Sequence, residues 1–207
     1  MDTRIEDARL RALRAYRVLD TSPEAAYDVL VRLAASICGT PIALVTLIDE
    51  TRQWFKANVG MDGISETPRE GAFCDHAIRG RDVFEIADAR ADERFATNPL
   101  VVGNPQIRFY AGAPLVTPDG DAVGTICVID REPRALSEPQ RLQMNLLAQL
   151  VTERLERRKR LSRLAEGLAQ VGEQTQAVLA SPRPSTAARA LVDAVGSATG
   201  GTATLLR

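Results

Sequence analysis

The chain has 207 residues, 45% hydrophobic and 26% charged, enough for one full domain with further elements and a core of ordinary size. Its net charge of −1 gives no electrostatic case for nucleic acid or an anionic membrane, and no apolar run approaches the ~18 residues of a membrane span. The N-terminus, MDTRIEDARLRALRAY, lacks a signal-peptide core, and 3 cysteines without CxxC spacing argue against a disulfide scaffold or zinc site, so a cytoplasmic protein is expected.

Residues 1–20 are expected to hold a first helix, with Ile5, Leu10, Leu13, Tyr16 and Val18 at loose helical spacing. Asp20-Thr21-Ser22-Pro23-Glu24 reads as a second helix start, with Ser22 as cap and Pro23 in the first turn. Gly39 and Pro41 end that helix near Cys38. Residues 42–49 and 53–59 are β-rich and joined by a short polar connection, so they read as a hairpin. A short helix over 70–78 and a strand over 83–86 follow. Residues 88–104 read as a structured loop with a helical turn, long enough to wall a site.

From Ile107 to Asp130, two runs of branched and aromatic residues flank Thr117-Pro118-Asp119-Gly120, a strong hairpin signal. Ser137 is placed to cap a long helix from Glu138. Arg154, Arg157, Arg158, Lys159 and Arg160 sit among glutamates there, as on a solvated helix face. Residues 157–180 carry Leu161, Leu164, Leu168, Val171, Thr175 and Val178 in heptad steps, which predicts a signalling helix or coiled coil; a lone amphipathic helix fits the spacing nearly as well. After the break at Ser181-Pro182-Arg183-Pro184, residues 184–205 align without gaps on 23–44. Residues 181–207 are therefore read as a linker and the start of a second, truncated copy, although unrelated helices with a proline start and glycine stop also match this way.

Ordered blocks along the chain resemble the GAF domains found at the N-terminus of bacterial sensor histidine kinases and diguanylate cyclases. They are Leu47-Ile48-Asp49 with Arg52-Gln53-Trp54-Phe55-Lys56-Ala57, Glu66-Thr67-Pro68-Arg69, Phe73-Cys74-Asp75-His76-Ala77-Ile78, Ala87-Asp88-Ala89, Asp92-Glu93-Arg94-Phe95, Asn98-Pro99-Leu100-Val101, and the 107–130 hairpin. The resemblance implies an α+β fold over residues 21–156. A central antiparallel sheet of about six strands would carry the N- and C-terminal helices on one face, with loops and short helices forming a pocket on the other. It also implies a homodimer paired through the terminal helices. The expected function is a sensory or regulatory module, not an enzyme, that binds a small ligand or partner and signals to an effector outside this chain. The alternatives are a structural dimerisation unit without ligand, and a thiol enzyme of the free methionine sulfoxide reductase type using Cys74 and Cys127.

Within that frame Trp54, Phe73, Cys74, His76, Phe109, Tyr110 and Thr125 are the candidate ligand-binding residues. Trp54 and Phe55 are strand neighbours and so face opposite sides. Phe73-Cys74-Asp75-His76 places the chain's 1 histidine and one thiol on a helix capping the pocket. Packing and hydrogen bonding within the cap account for Cys74 and His76 more simply than a ligand does. No cofactor is identified: His76 alone suggests neither heme nor zinc, and Asp75 separates it from Cys74, unlike the adjacent pair that holds bilin in phytochromes. Arg52, Asp49, Arg69 and Asp92 are expected to form a buried ion-pair network, and Cys127 to be inert core. No phosphate loop, HExxH or GxSxG pattern is present, so no catalytic or metal-binding residue is assigned.

Overall fold

Alternating side chains along the strands divide the core between two faces of one sheet. A computed structural model describes residues 2–179 and positions 190, 193, 194 and 196. The chain divides into two units, residues 1–156 and 157–207. The first contains α1 (Thr3–Ala15), α2 (Ala25–Cys38), β1 (Ile42–Ile48), β2 (Arg52–Val59), β3 (Glu66–Pro68), α3 (Phe73–Ala77), β4 (Phe84–Ile86), α4 (Pro99–Val102), β5 (Phe109–Val116) and β6 (Ala122–Asp130). A final helix, α5 (Glu138–Leu179), begins in this unit.

All strand pairs are antiparallel, in the order β3-β2-β1-β6-β5-β4. The central β1–β6 pair is closely seated. A Cβ on Gly124 would stand 2.0 Å from the Thr46 carbonyl oxygen, so glycine there permits the approach. A bulge in β1–β2 lets Val45 pair with Ala57 and Thr46 with Phe55, leaving Lys56 as the additional residue. Lys56 reaches the turn before α2, where Nζ donates to Thr21 Oγ1 (2.9 Å) and the Ser22 carbonyl (2.8 Å) and pairs with Glu24 (2.6 Å).

The start of α2 differs from the expected one. Glu24, not Ser22, is the N-cap residue, with no side-chain capping bond; Ser22 instead offers its carbonyl to Lys56. Gly39 ends α2 in the left-handed conformation with φ 63°, which its missing Cβ makes inexpensive. At α5, the Gln140 backbone N–H donates to Ser137 Oγ (3.4 Å) and the Ser137 N–H to Gln140 Oε1 (2.9 Å), a reciprocal capping box.

One core lies between the sheet and the helices α1, α2 and the first turns of α5. Tyr16, Tyr27, Leu30, Val31, Trp54, Phe109, Ile126, Met144 and Val151 are among its buried members. The opposite face is covered by α3, α4 and their loops, through Phe73, Cys74, Phe95, Val101 and Ile107. The short edge strand β3 pairs three residues with β2 and has no hydrophobic alternation to announce it.

The expected ion-pair network is instead several separate pairs. Arg52 reaches Asp20, Glu66 and Asp49, Asp92 pairs with Arg94 two residues on, and Arg69 engages Glu6 and Asp75. In the second unit, residues 157–179 are helical and Leu161, Leu164 and Leu168 are exposed. The linker and second copy expected over residues 181–207 lie outside the described residues, apart from the four positions named above. Among the described residues, no helix is long and apolar enough to cross a membrane.

Candidate functional site

Strand alternation brings four of the seven candidate residues to one place. Tyr110 and Thr125 stand on the sheet face covered by α3, and Phe73 and Cys74 descend from α3 onto them. The Phe73 ring stacks on Phe95 (4.1 Å between centroids) and on Tyr110 (5.2 Å). His76, one turn along α3, sits at the rim, edge-on to Phe95 at 4.8 Å. Trp54 and Phe109 lie on the other face, in the core beneath α1, α2 and α5, so they are not part of this site. Phe55, beside Trp54, is the residue of that pair facing α3.

Beneath the rings lies a buried polar group that the sequence reading missed. The Tyr110 hydroxyl donates to Cys74 Sγ at 3.2 Å. Cys74 and Cys127 Sγ atoms are 3.9 Å apart, and the Thr46 and Thr125 hydroxyls share a hydrogen bond of 3.0 Å. Cys127, expected to be inert packing, is thus in contact with Cys74. The alternation that turns Thr125 toward the site turns Cys127 the same way, so that signal was available; the contact across 53 residues was not. Burial pushes the Tyr110 hydroxyl well above its ordinary pKa, keeping it a neutral donor.

The outer edge of α3 is polar. A cavity of about 670 Å³ opens there, lined in part by Glu6, Arg69, Asp75, His76 and Arg79. Arg69 bridges two elements, donating through Nε to Asp75 on α3 (2.7 Å) and through Nη1 to Glu6 on α1 (2.6 Å). Glu6 also accepts from Arg9, whose buried guanidinium donates to the Ile48 carbonyl at 2.6 Å. An unbroken charge chain therefore runs from α3 to α1. Hydrogen bonds from Arg9, reinforced by Arg69, outweigh burial and hold the Glu6 carboxyl at about 2. Burial, with Arg79 nearby, lowers the His76 pKa, so the neutral ring is favoured. Among the described residues, no His, Cys, Asp and Glu cluster fits a metal ion.

A family model described as GAF domain matches residues 22–156. The chain belongs to the GAF domain family. It is 47% identical over 139 residues to a cyclic di-GMP phosphodiesterase of Pseudomonas aeruginosa, a match covering 67% of this chain and 24% of that protein. Since a relative this similar is named as an enzyme, the expectation of a non-enzymatic protein is overturned. The chain spans only about a quarter (24%) of that relative's length.

Solved structures share the GAF fold. The GAF domain of an Acinetobacter phosphoenolpyruvate-protein phosphotransferase superposes with TM-score 0.55 at 18% identity, covering 76% of this chain and 95% of that one. A domain assigned to a two-component sensor histidine kinase of Sinorhizobium meliloti gives 0.53 at 14%, covering 70% and 99%. The type II free methionine-R-sulfoxide reductase of Thermoplasma acidophilum gives 0.53 at 12%, covering 64% and 92%; at that identity the likeness is one of fold alone.

Proposed function

We propose that this chain is the regulatory GAF module of a signalling enzyme acting on cyclic di-GMP. The identity to the Pseudomonas phosphodiesterase carries this reading, because it extends over 139 residues. The input is received at α3, where Phe73, Cys74, His76, Tyr110 and Thr125 surround the ring stack and the polar edge. The output leaves through α1 and α5. The Asp75–Arg69–Glu6 chain supplies one physical connection, since α3 cannot shift without disturbing the charges that hold α1. A ligand or partner regulates only if it binds two arrangements of α3 unequally. The module works as a homodimer paired through its terminal helices.

A transplant tests this reading. Residues 1–156, which include α1 and Glu6, replace the corresponding segment of the Pseudomonas enzyme, and cyclic di-GMP hydrolysis is measured with and without Tyr110→Ala or Asp75→Asn. Each substitution is expected to change hydrolysis several-fold while the chimera stays folded. Equal rates in all three folded chimeras would remove the regulatory reading. The ligand-free pairing unit is favoured by one observation: Phe73, Phe95 and Tyr110 fill the space over the sheet with stacked rings. A chimera that dimerises but ignores both substitutions would establish that alternative.

A further inference from the structure

We infer that Cys74 and Cys127 form a peroxide-oxidisable pair that closes to an intramolecular disulfide and reports oxidation to α1. The two sulfurs already touch at 3.9 Å, one on α3 and the other in mid-β6. The remaining thiol, Cys38, belongs to the core on the opposite sheet face and is raised to about 11 by burial. The site thus has two partners and a bystander.

The surroundings differ from those of thiols that merely fill space. The Tyr110 hydroxyl donates to Cys74, and the hydrogen-bonded Thr46 and Thr125 hydroxyls lie on the same sheet face, where an apolar core would supply only carbon. Burial opposes ionisation of Cys74, but hydrogen bonding from Cys127, Thr125, Tyr110 and Thr46 outweighs it and lowers that thiol. Burial and the neighbouring Cys74 hold Cys127 well above its ordinary value. The Tyr110 hydroxyl donates to Cys74 Sγ, a contact that favours its thiolate, so the attack is assigned to Cys74 and the resolving step to Cys127.

The co-reactant is hydrogen peroxide. Cys74 thiolate attacks one peroxide oxygen, forming an S–O bond as the O–O bond breaks. The leaving hydroxide takes up a proton and departs as water. The Cys127 sulfur then attacks the sulfenic sulfur, forming the S–S bond while the S–O bond breaks. The released hydroxyl leaves as a second water with the proton from Cys127. The two thiols lose two electrons in all, and the peroxide gains them.

Closing the contact to a bond of about 2.05 Å requires the sulfurs to approach by nearly half their present separation. β6 is fixed between β1 and β5, so α3 must yield. It has five residues and no side-chain cap, and Gly71 and Gly80 stand just outside it. Asp75 follows Cys74 directly and is tied through Arg69 to Glu6, so the same movement disturbs the attachment of α1.

The test treats the 207-residue chain with hydrogen peroxide under native conditions, then alkylates and maps its peptides. The expected product links Cys74 to Cys127, is two hydrogens lighter, leaves Cys38 free, and is reversed by dithiothreitol. Cys127→Ser should accumulate a Cys74 sulfenic acid that dimedone traps. Cys38→Ser should still form the disulfide, which keeps the test decisive if Cys127→Ser does not fold. Amide exchange over residues 3–15 should rise several-fold on oxidation. Three unreacted thiols in the native chain, or products linked only through Cys38, would overturn the pair; a disulfide with unchanged α1 exchange would overturn the transmission. The inference shares the α3 site with the proposed function but not its effector. Failure here leaves the transplant result standing.

Discussion

The Tyr110 hydroxyl lies 2.1 Å from the point where a Cβ on Gly112 would stand. The two residues share a strand face, and the tyrosine folds back over the glycine to reach Cys74. Gly112→Ala should therefore displace the ring, breaking both its thiol contact and its stack on Phe73. A loss of about 2–3 kcal/mol is expected from overpacking. Tyr110→Phe removes the closest atom, so the double variant should be less destabilised than the summed single variants by more than about 0.5 kcal/mol. Denaturant midpoints of the four proteins check this, and strict additivity would refute the claimed coupling.

This pairing marks the limit of what the chain disclosed as a string. Asp119-Gly120 announced the β5–β6 hairpin because turn chemistry is local, and Gly39 announced the end of α2 for the same reason. Alternation showed that Trp54 and Phe55 part company, but which face held the helices depended on distant packing. The resemblance raised Cys74 and Cys127 together only as the pair a thiol enzyme would use; their contact, and Arg69 joining α1 and α3, could not be read from the sequence. Such contacts arise from sheet register and helix placement, which no short window contains. Ser22 is not the cap because α2 begins at Ala25, and its carbonyl instead accepts from Lys56, another long-range contact.

Glu6 sets an acid limit on stability. Its folded-state pKa of about 2 lies below the unfolded value near 4.5, so the carboxylate's stabilisation is complete above pH 4.5 and fades as pH falls toward 2. The loss should be about 2 kcal/mol across that window, after allowance for partial solvent screening. His76 acts in the same direction at higher pH: its lowered pKa favours the folded state above about 6.5, and acidification removes that preference. Glu6→Gln should be less stable at pH 7 and should flatten the dependence between pH 4.5 and 2. Urea titrations at stepped pH measure both slopes, and parallel curves would exclude Glu6 as the source.

Lys56 is fully buried, with a side-chain exposure of 0%, yet three acceptors match its three ammonium protons. The Tyr27 and Trp54 rings add cation–π contacts at 5.4 and 5.8 Å. Lys56→Met keeps the volume but strands the Ser22 carbonyl, while Glu24 is exposed enough to recover water. We expect a loss of about 2 kcal/mol, and about 1–2 kcal/mol more for Lys56→Ala, which adds a cavity. Adding Glu24→Gln to Lys56→Met should cost little further, because the carboxylate has already lost its partner. Thermal melts of these variants rank the effects; a Lys56→Met protein as stable as the parent would show that the clamp contributes nothing.

The helix layer carries an apolar stripe facing away from the sheet. On α5, Leu142, Leu146 and Leu150 are 61, 49 and 46% exposed at four-residue steps, while their neighbours Met144, Leu147 and Val151 fill the core. Val29 and Leu33 repeat the pattern on α2. Single exposed leucines are ordinary on a protein surface, but aligned ones suit an association face. If the proposed homodimer forms and pairs through α5, Leu146→Glu with Leu150→Glu should place charge in the interface and yield monomer. Surface changes of this kind alter monomer stability by only about 0.5 kcal/mol each, so loss of association is separable from loss of fold. Sedimentation velocity over a range of concentrations, with circular dichroism on the same samples, distinguishes the outcomes. A folded double variant that remains dimeric would move the interface away from this stripe.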